Sequence, residues 1–150
     1  MKDVNGMDSS QAKELFSYFG LAVYYSQALE HQLANLIMLM KVADGKVFTE
    51  KDLEELFQLK LSNSLGQLVR EIQHNFSFST EETEQLTRLW KQRNYIVHDY
   101  FKERIHDTFT ASGRAAMIEE LKAFKDEARA LECKLQQYSA QLYELVKVED

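Results

Sequence analysis

Apolar residues step by three and four along the first part of the chain: Leu15, Phe19, Ala22, Leu29, Leu33, Leu36 and Met40, with Ser26 filling one slot. That spacing gathers them on one helical face. Asp8, Ser9 or Ser10 can cap such a helix, which is predicted to run to about residue 42. A second stripe, Ile118, Leu121, Phe124, Ala128, Leu131, Leu135, Tyr138, Leu142 and Leu145, holds the same spacing over roughly four heptads. Between the two stripes, "ADGKVFTEKD" (43–52) reads as a loop in which Thr49 caps a short helix, "EKDLEELFQL". "KLSNSLGQLVREIQHNF" reads as another short helix, starting near Ser62 or Ser64. "FSFSTEET" interrupts the pattern, and Ser79 with Glu82 forms a capping box for the next long helix. "HDTFTASG" (106–113) is the following turn. The expected fold is all-α: an antiparallel helical bundle of about five helices, three long and two short, in one domain over residues 1–150.

One stretch does not fit a plain bundle. "WKQRNYIVHDYF" (90–101) is rich in aromatic and β-branched residues, yet carries an arginine, an asparagine and a histidine. On a helix advancing roughly 100° per residue, Leu86, Leu89, Trp90, Ile96, Val97, Tyr100 and Phe101 all fall within about 80° of Arg93. The arginine therefore takes the centre of an apolar stripe, with Asn94 and His98 sharing one edge. A charge in that position must be paired, hydrated in a cleft or lodged at a subunit interface. Glu30, beside the stripe of the first helix, is the matching anomaly, and a structural ion pair with Arg93 is its favoured reading.

Composition narrows the choices. A chain of 150 residues supports one domain with a real core, and the absence of proline with only five glycines favours long helices. The lone Cys133 excludes an intramolecular disulfide, and no Cys/His cluster has zinc-site spacing. No cofactor is expected. "MKDVNGMDSSQAK" lacks an apolar signal core and "LANLIMLM" (33–40) is too short to span a bilayer, so no membrane association and a reducing cytoplasm are expected. The net charge of −6 argues against broad nonspecific nucleic-acid binding. Locally, however, Arg88, Lys91, Arg93, Lys102 and Arg104 face only Asp99 and Glu103 between residues 88 and 104. That excess suits a focused anionic ligand, and a solvated face of mixed charge is the alternative.

An arginine can hold a phosphate through a bidentate contact, and a histidine can move a proton near neutral pH. Arg93, Asn94 and His98 are thus candidates for a catalytic set, against a buried arginine paired to a core carboxylate with His98 at the boundary. His31 and His74 read as surface or boundary residues, and His106 as the marker of a helix end. Tyr24 and Tyr25 read as packing. No phosphate-cradling glycine loop and no Ser–His–Asp spacing is present.

"RNYIVH" resembles the R-x(4–6)-H signature of HEPN domains, in which a polar residue commonly follows the arginine. "ALEHQLANLI" and "SLGQLVREI" resemble HEPN openings, so the likeness covers most of the chain. Many HEPN domains are metal-independent ribonucleases acting as homodimers, with both motifs lining one cleft. The resemblance implies that Arg93 steadies charge on a scissile RNA phosphate, that His98 moves a proton, and that Asn94 orients His98 or donates to the phosphate. "RNYIVHDY" is similar to the R-x4-H-x-Y form of toxins paired with a nucleotidyltransferase antitoxin. By that likeness Tyr100 is a candidate modification site, with packing on the stripe as its alternative. A non-catalytic HEPN module binding nucleotide, RNA or protein is the second expectation, and a coiled-coil adaptor built on the last helix is the third.

Overall fold

The computed structural model describes residues 9–45, 49–75 and 78–148, and no strand occurs among them. The helices are α1 (Ser9–Ala43), α2 (Glu50–Leu61), α3 (Leu65–Asn75), α4 (Thr80–His98), the single turn α5 (Tyr100–Glu103) and α6 (Ala111–Val148), with a 3-10 turn at Ile105–Phe109. The three long and two short helices of the hydrophobic pattern are all present, and α5 adds one more turn. Capping by Asp8 lies outside the described residues. No described helix is long and apolar enough to cross a membrane.

The two stripes meet each other. Leu15, Ala22, Leu29, Leu33 and Leu36 of α1 are buried with Met117, Leu121, Phe124, Ala128, Leu131 and Leu135 of α6. Cross-links fix the direction of this pair. Gln11 donates to the Ala111 carbonyl at 3.0 Å, and Gln32 donates to Glu132 at 3.2 Å. Low numbers on α1 thus meet low numbers on α6, and the two helices run parallel over most of their length. Helix α4 with the α5 turn runs opposite to both: Arg93 and then Phe101 meet Glu30 and Phe19 on α1, while Glu82, Arg88 and then Tyr100 meet Tyr138, Glu127 and Met117 on α6. Helix α2 has no fully buried residue and lies across the second half of α1, whereas Leu65, Leu68, Val69 and Ile72 seat α3 in the core.

The caps predicted for α2 and α4 form, whereas Ser9 and Ser10 lie within α1. Thr49 accepts from the Asp52 N–H at 3.1 Å. Ser79 and Glu82 exchange two bonds of 3.1 Å. Ser64 and Gln67 make a further reciprocal box, which places the start of α3 just after Ser64. Glu82 also accepts from the Tyr138 hydroxyl at 2.6 Å and pairs with Lys134 at 3.3 Å, joining the first turn of α4 to α6. Burial pushes its carboxyl up, but the Tyr138 hydroxyl, the Ser79 N–H and Lys134 together bring it down to about 2. The stability this group contributes is therefore present above its ordinary value of 4.5 and lost as pH falls toward about 2. Glu82→Gln should cost about 1–2 kcal/mol at neutral pH and flatten the acid limb of a denaturation-midpoint profile. An unchanged acid limb would assign the acid sensitivity elsewhere.

The helix carrying "RNYIVH" is shorter than the pattern predicts. It stops at His98, where Asp99 takes φ −126° and ψ −9°. The chain then makes the α5 turn and the 3-10 turn, so His106 sits in the latter and does not mark the end of the motif helix. Arg104 secures this corner through Asp107 at 2.6 Å and Glu120 at 2.5 Å, with its guanidinium 5.7 Å from the Tyr100 ring.

Candidate functional site

Arg93 lies where the wheel puts it, among buried Leu86, Leu89 and Ile96, and its guanidinium turns toward α1. Its Nη2 is 3.2 Å from Glu30 Oε1, with 21% of the arginine side chain and 19% of the glutamate side chain exposed. Nη1 donates to Asn94 Oδ1 at 3.2 Å. The ion pair is close but poorly aligned: Glu30 Oε1 and Arg93 Nε are both buried without a hydrogen-bond partner. Unsatisfied polar atoms at such a depth cost stability and mark a site that packing alone does not explain. Burial raises the Glu30 carboxyl above its ordinary value, and Arg93 and His31 offset that only in part.

Glu30, Arg93 and Asn94 are thus brought together, and His98 stands apart from them. It is exposed at the last residue of α4 and makes no hydrogen bond or ion pair among the described residues. Five residues separate it from Arg93 on one helix, an angular difference of roughly 140°. Within one chain, both side chains can address a single ligand only if it lies across the end of α4. Tyr100 sits elsewhere again. Its ring is buried, its hydroxyl donates to the Met117 carbonyl at 3.1 Å, and burial with nearby Glu120 pushes that hydroxyl well above the usual tyrosine range. This is the packing position foreseen as its alternative role, and modification there requires the α5–α6 contact to open.

The local positive excess is largely answered by other helices. Arg88 pairs with Glu127, Arg93 with Glu30, and Arg104 with Glu120 and Asp107. Lys91 and Lys102 remain exposed and pair with no carboxylate among the described residues. His31 and His74 are exposed, as expected, with His31 edge-on to Phe57 at 6.0 Å. The tyrosine pair is less buried than expected: Tyr24 is largely exposed and stands edge-on to half-buried Tyr25 at 5.0 Å. Among the described residues, no group of three or more His, Cys, Asp or Glu side chains is gathered as metal ligands.

Arg114 is the buried cation that sequence reasoning missed. It is 3% exposed, and it donates to Gln11 Oε1 at 2.6 Å and to the Thr108 carbonyl at 2.9 Å, both neutral acceptors. The signal was there: Arg114 precedes Met117 by three and Leu121 by seven, on the extension of the α6 stripe. It ties the first turns of α1 and α6 to the 3-10 turn. Comparison with known protein families, with curated proteins and with solved structures finds no match for this chain.

Proposed function

We propose that the protein is a metal-independent endoribonuclease of the HEPN kind, of the toxin or phage-defence type, acting as a homodimer. A nucleotidyltransferase antitoxin is the partner this reading implies. The observation that carries it is the state of Arg93. A half-buried guanidinium keeps an unpartnered Nε beside Asn94, on the helix that ends in an exposed, unpaired His98. When substrate displaces Glu30, the guanidinium turns to a phosphoryl oxygen and the buried Nε gains an acceptor. In the reaction, the ribose 2′-hydroxyl attacks the adjacent phosphorus, the bond to the 5′-oxygen breaks, and a 2′,3′-cyclic phosphate and a 5′-hydroxyl remain. His98 takes the proton from the 2′-hydroxyl or delivers one to the leaving oxygen, and Arg93 steadies charge on the phosphoryl oxygens. The spread between Arg93 and His98 within one chain is met by pairing motifs across a two-fold axis.

A second reading has its own support. Glu30 already occupies one face of the Arg93 guanidinium, as suits a HEPN-like module that binds nucleotide, RNA or protein without cutting. The two are separated by expression and end analysis. The nuclease should slow bacterial growth, cut RNA in the presence of EDTA and leave cyclic phosphate ends. His98→Ala should remove all three effects with the fold intact. Equal harmlessness of wild type and variant, with uncut RNA, would reject the enzyme. Cleavage that stops with chelation and returns with magnesium would reject the mechanism.

A further inference from the structure

A cleft of about 720 Å³ opens between α1, the start of α2 and the second half of α6, and it shares no residue with the Arg93 group. Its volume falls within the ordinary range of small-molecule sites. Met38, Leu39, Val42, Leu53, Tyr143 and Val146 supply an apolar wall.

On that lining sits Ser139, 5% exposed, whose hydroxyl has no hydrogen-bond partner. The comparison with Ser26 is direct. Both serines take a core slot on one of the parallel helices, but Ser26 donates to its own helix at the Val23 carbonyl, at 2.7 Å. A buried hydroxyl left unpaired costs free energy that a ligand atom can recover. Three amides line the same cleft, Gln32, Asn35 and Gln136. Gln32 and Gln136 give N–H donors to Glu132 Oε1, at 3.2 and 2.8 Å, so their carbonyl oxygens are left to accept. Glu50 is the one charged residue among the described lining residues. Val42 and Val146 lie in the last turns of α1 and α6, whose carbonyl ends carry partial negative charge.

We infer that this cleft binds a small amphipathic molecule with an apolar body and a hydrogen-bond-donating head, an alcohol or an amine. The Glu50 carboxylate and the two helix C-termini turn away carboxylates and phosphates. This site is independent of the nuclease reading, because no residue of the Arg93 group takes part.

The test uses three eight-carbon probes, 1-octanol, octylamine and octanoate, titrated into the full chain and followed by amide and methyl NMR shifts. Octanol and octylamine should give saturable shifts at Met38, Leu53 and Tyr143, and octanoate should give none at equal concentration. Ser139→Ala should leave the protein folded and weaken octanol binding about tenfold. Ala140→Trp, on the cleft wall, should abolish binding. The inference is overturned if no probe binds, if octanoate binds as tightly as the others, or if shifts persist in Ala140→Trp. It is equally overturned if Ala140→Trp without any probe changes the oligomeric state, since the cleft would then be a subunit contact.

Discussion

Arg93→Met is expected to abolish RNA cleavage, by at least about 10²–10³-fold, as for loss of a donor that stabilises developing charge. Methionine is unbranched and apolar, so it suits the surrounding Leu86, Leu89 and Ile96. The change nevertheless strands Glu30, whose carboxyl is already raised by burial. With the guanidinium gone that carboxyl is raised further, and protonation relieves part of the roughly 3–5 kcal/mol cost of stranding a buried charge. The sign follows: Glu30 favours the fold most when protonated, below its ordinary value of 4.5, and that contribution fades as pH rises through its raised value. The penalty of Arg93→Met should therefore be larger at pH 8 than at pH 5 in chemical denaturation. Glu30→Gln alone, which mimics the protonated acid, should leave stability at or above wild type. Adding it to Arg93→Met should restore most of the loss. A stable double variant that still fails to cut RNA supports catalysis by Arg93. Cleavage that returns with the fold would reduce Arg93 to a partner of Glu30.

Gly113→Ala should be among the most destabilising single substitutions in the protein, costing about 3 kcal/mol or more. A methyl group there would overlap the Asp107 carbonyl oxygen and Cα and the Thr110 hydroxyl, and two of those atoms are backbone that cannot swing away. The Gly113 N–H also donates to the Thr110 hydroxyl oxygen at 3.0 Å, so displacement opens the start of α6. The damage reaches Arg114 and its hold on Thr108, and through the 3-10 turn the Arg104 corner beneath α4. Gly20→Ala is the matched control. It lies mid-helix in α1 with nothing within 4 Å of the added methyl, so it should gain about 0.5–1 kcal/mol. Urea midpoints for the two variants should move in opposite directions. A harmless Gly113→Ala would show that this turn can shift away from α6.

Much of this architecture could be read from residue spacing. Three-four periodicity located α1 and α6, Ser26 was recognised as a slot in a stripe, and the Ser79–Glu82 box set the start of α4. Arg93 and Glu30 were paired in expectation because each was the polar intruder on its own apolar face. Direction was not legible. Periodicity is the same read from either end, so the parallel course of α1 and α6 follows only from contacts such as Gln11 with Ala111 and Arg114. The end of α4 was also hidden. Tyr100 and Phe101 continue the helical stripe across Asp99, with no proline or glycine to mark a break. The same two side chains reach the core from α5 instead. Charge was misjudged for a related reason. Arg88 and Arg104 meet Glu127 and Glu120 from α6, carboxylates far along the chain that a count over residues 88–104 omits. The Ser139 cleft arises only once three helices converge.

The parallel course of α1 and α6 also sets a timetable for synthesis. Helical hairpins close between neighbours in sequence, but these two stripes are joined by contacts that span 100 residues, as in Gln11 with Ala111 and Gln32 with Glu132. At a translation rate of about 5–20 residues per second, the leucine face of α1 waits roughly 5–20 s for its principal partner to be made. Until then α2, α3 and α4 can cover it only in part. A nascent chain in that interval exposes a sticky surface, the condition under which chaperone capture and aggregation compete with folding.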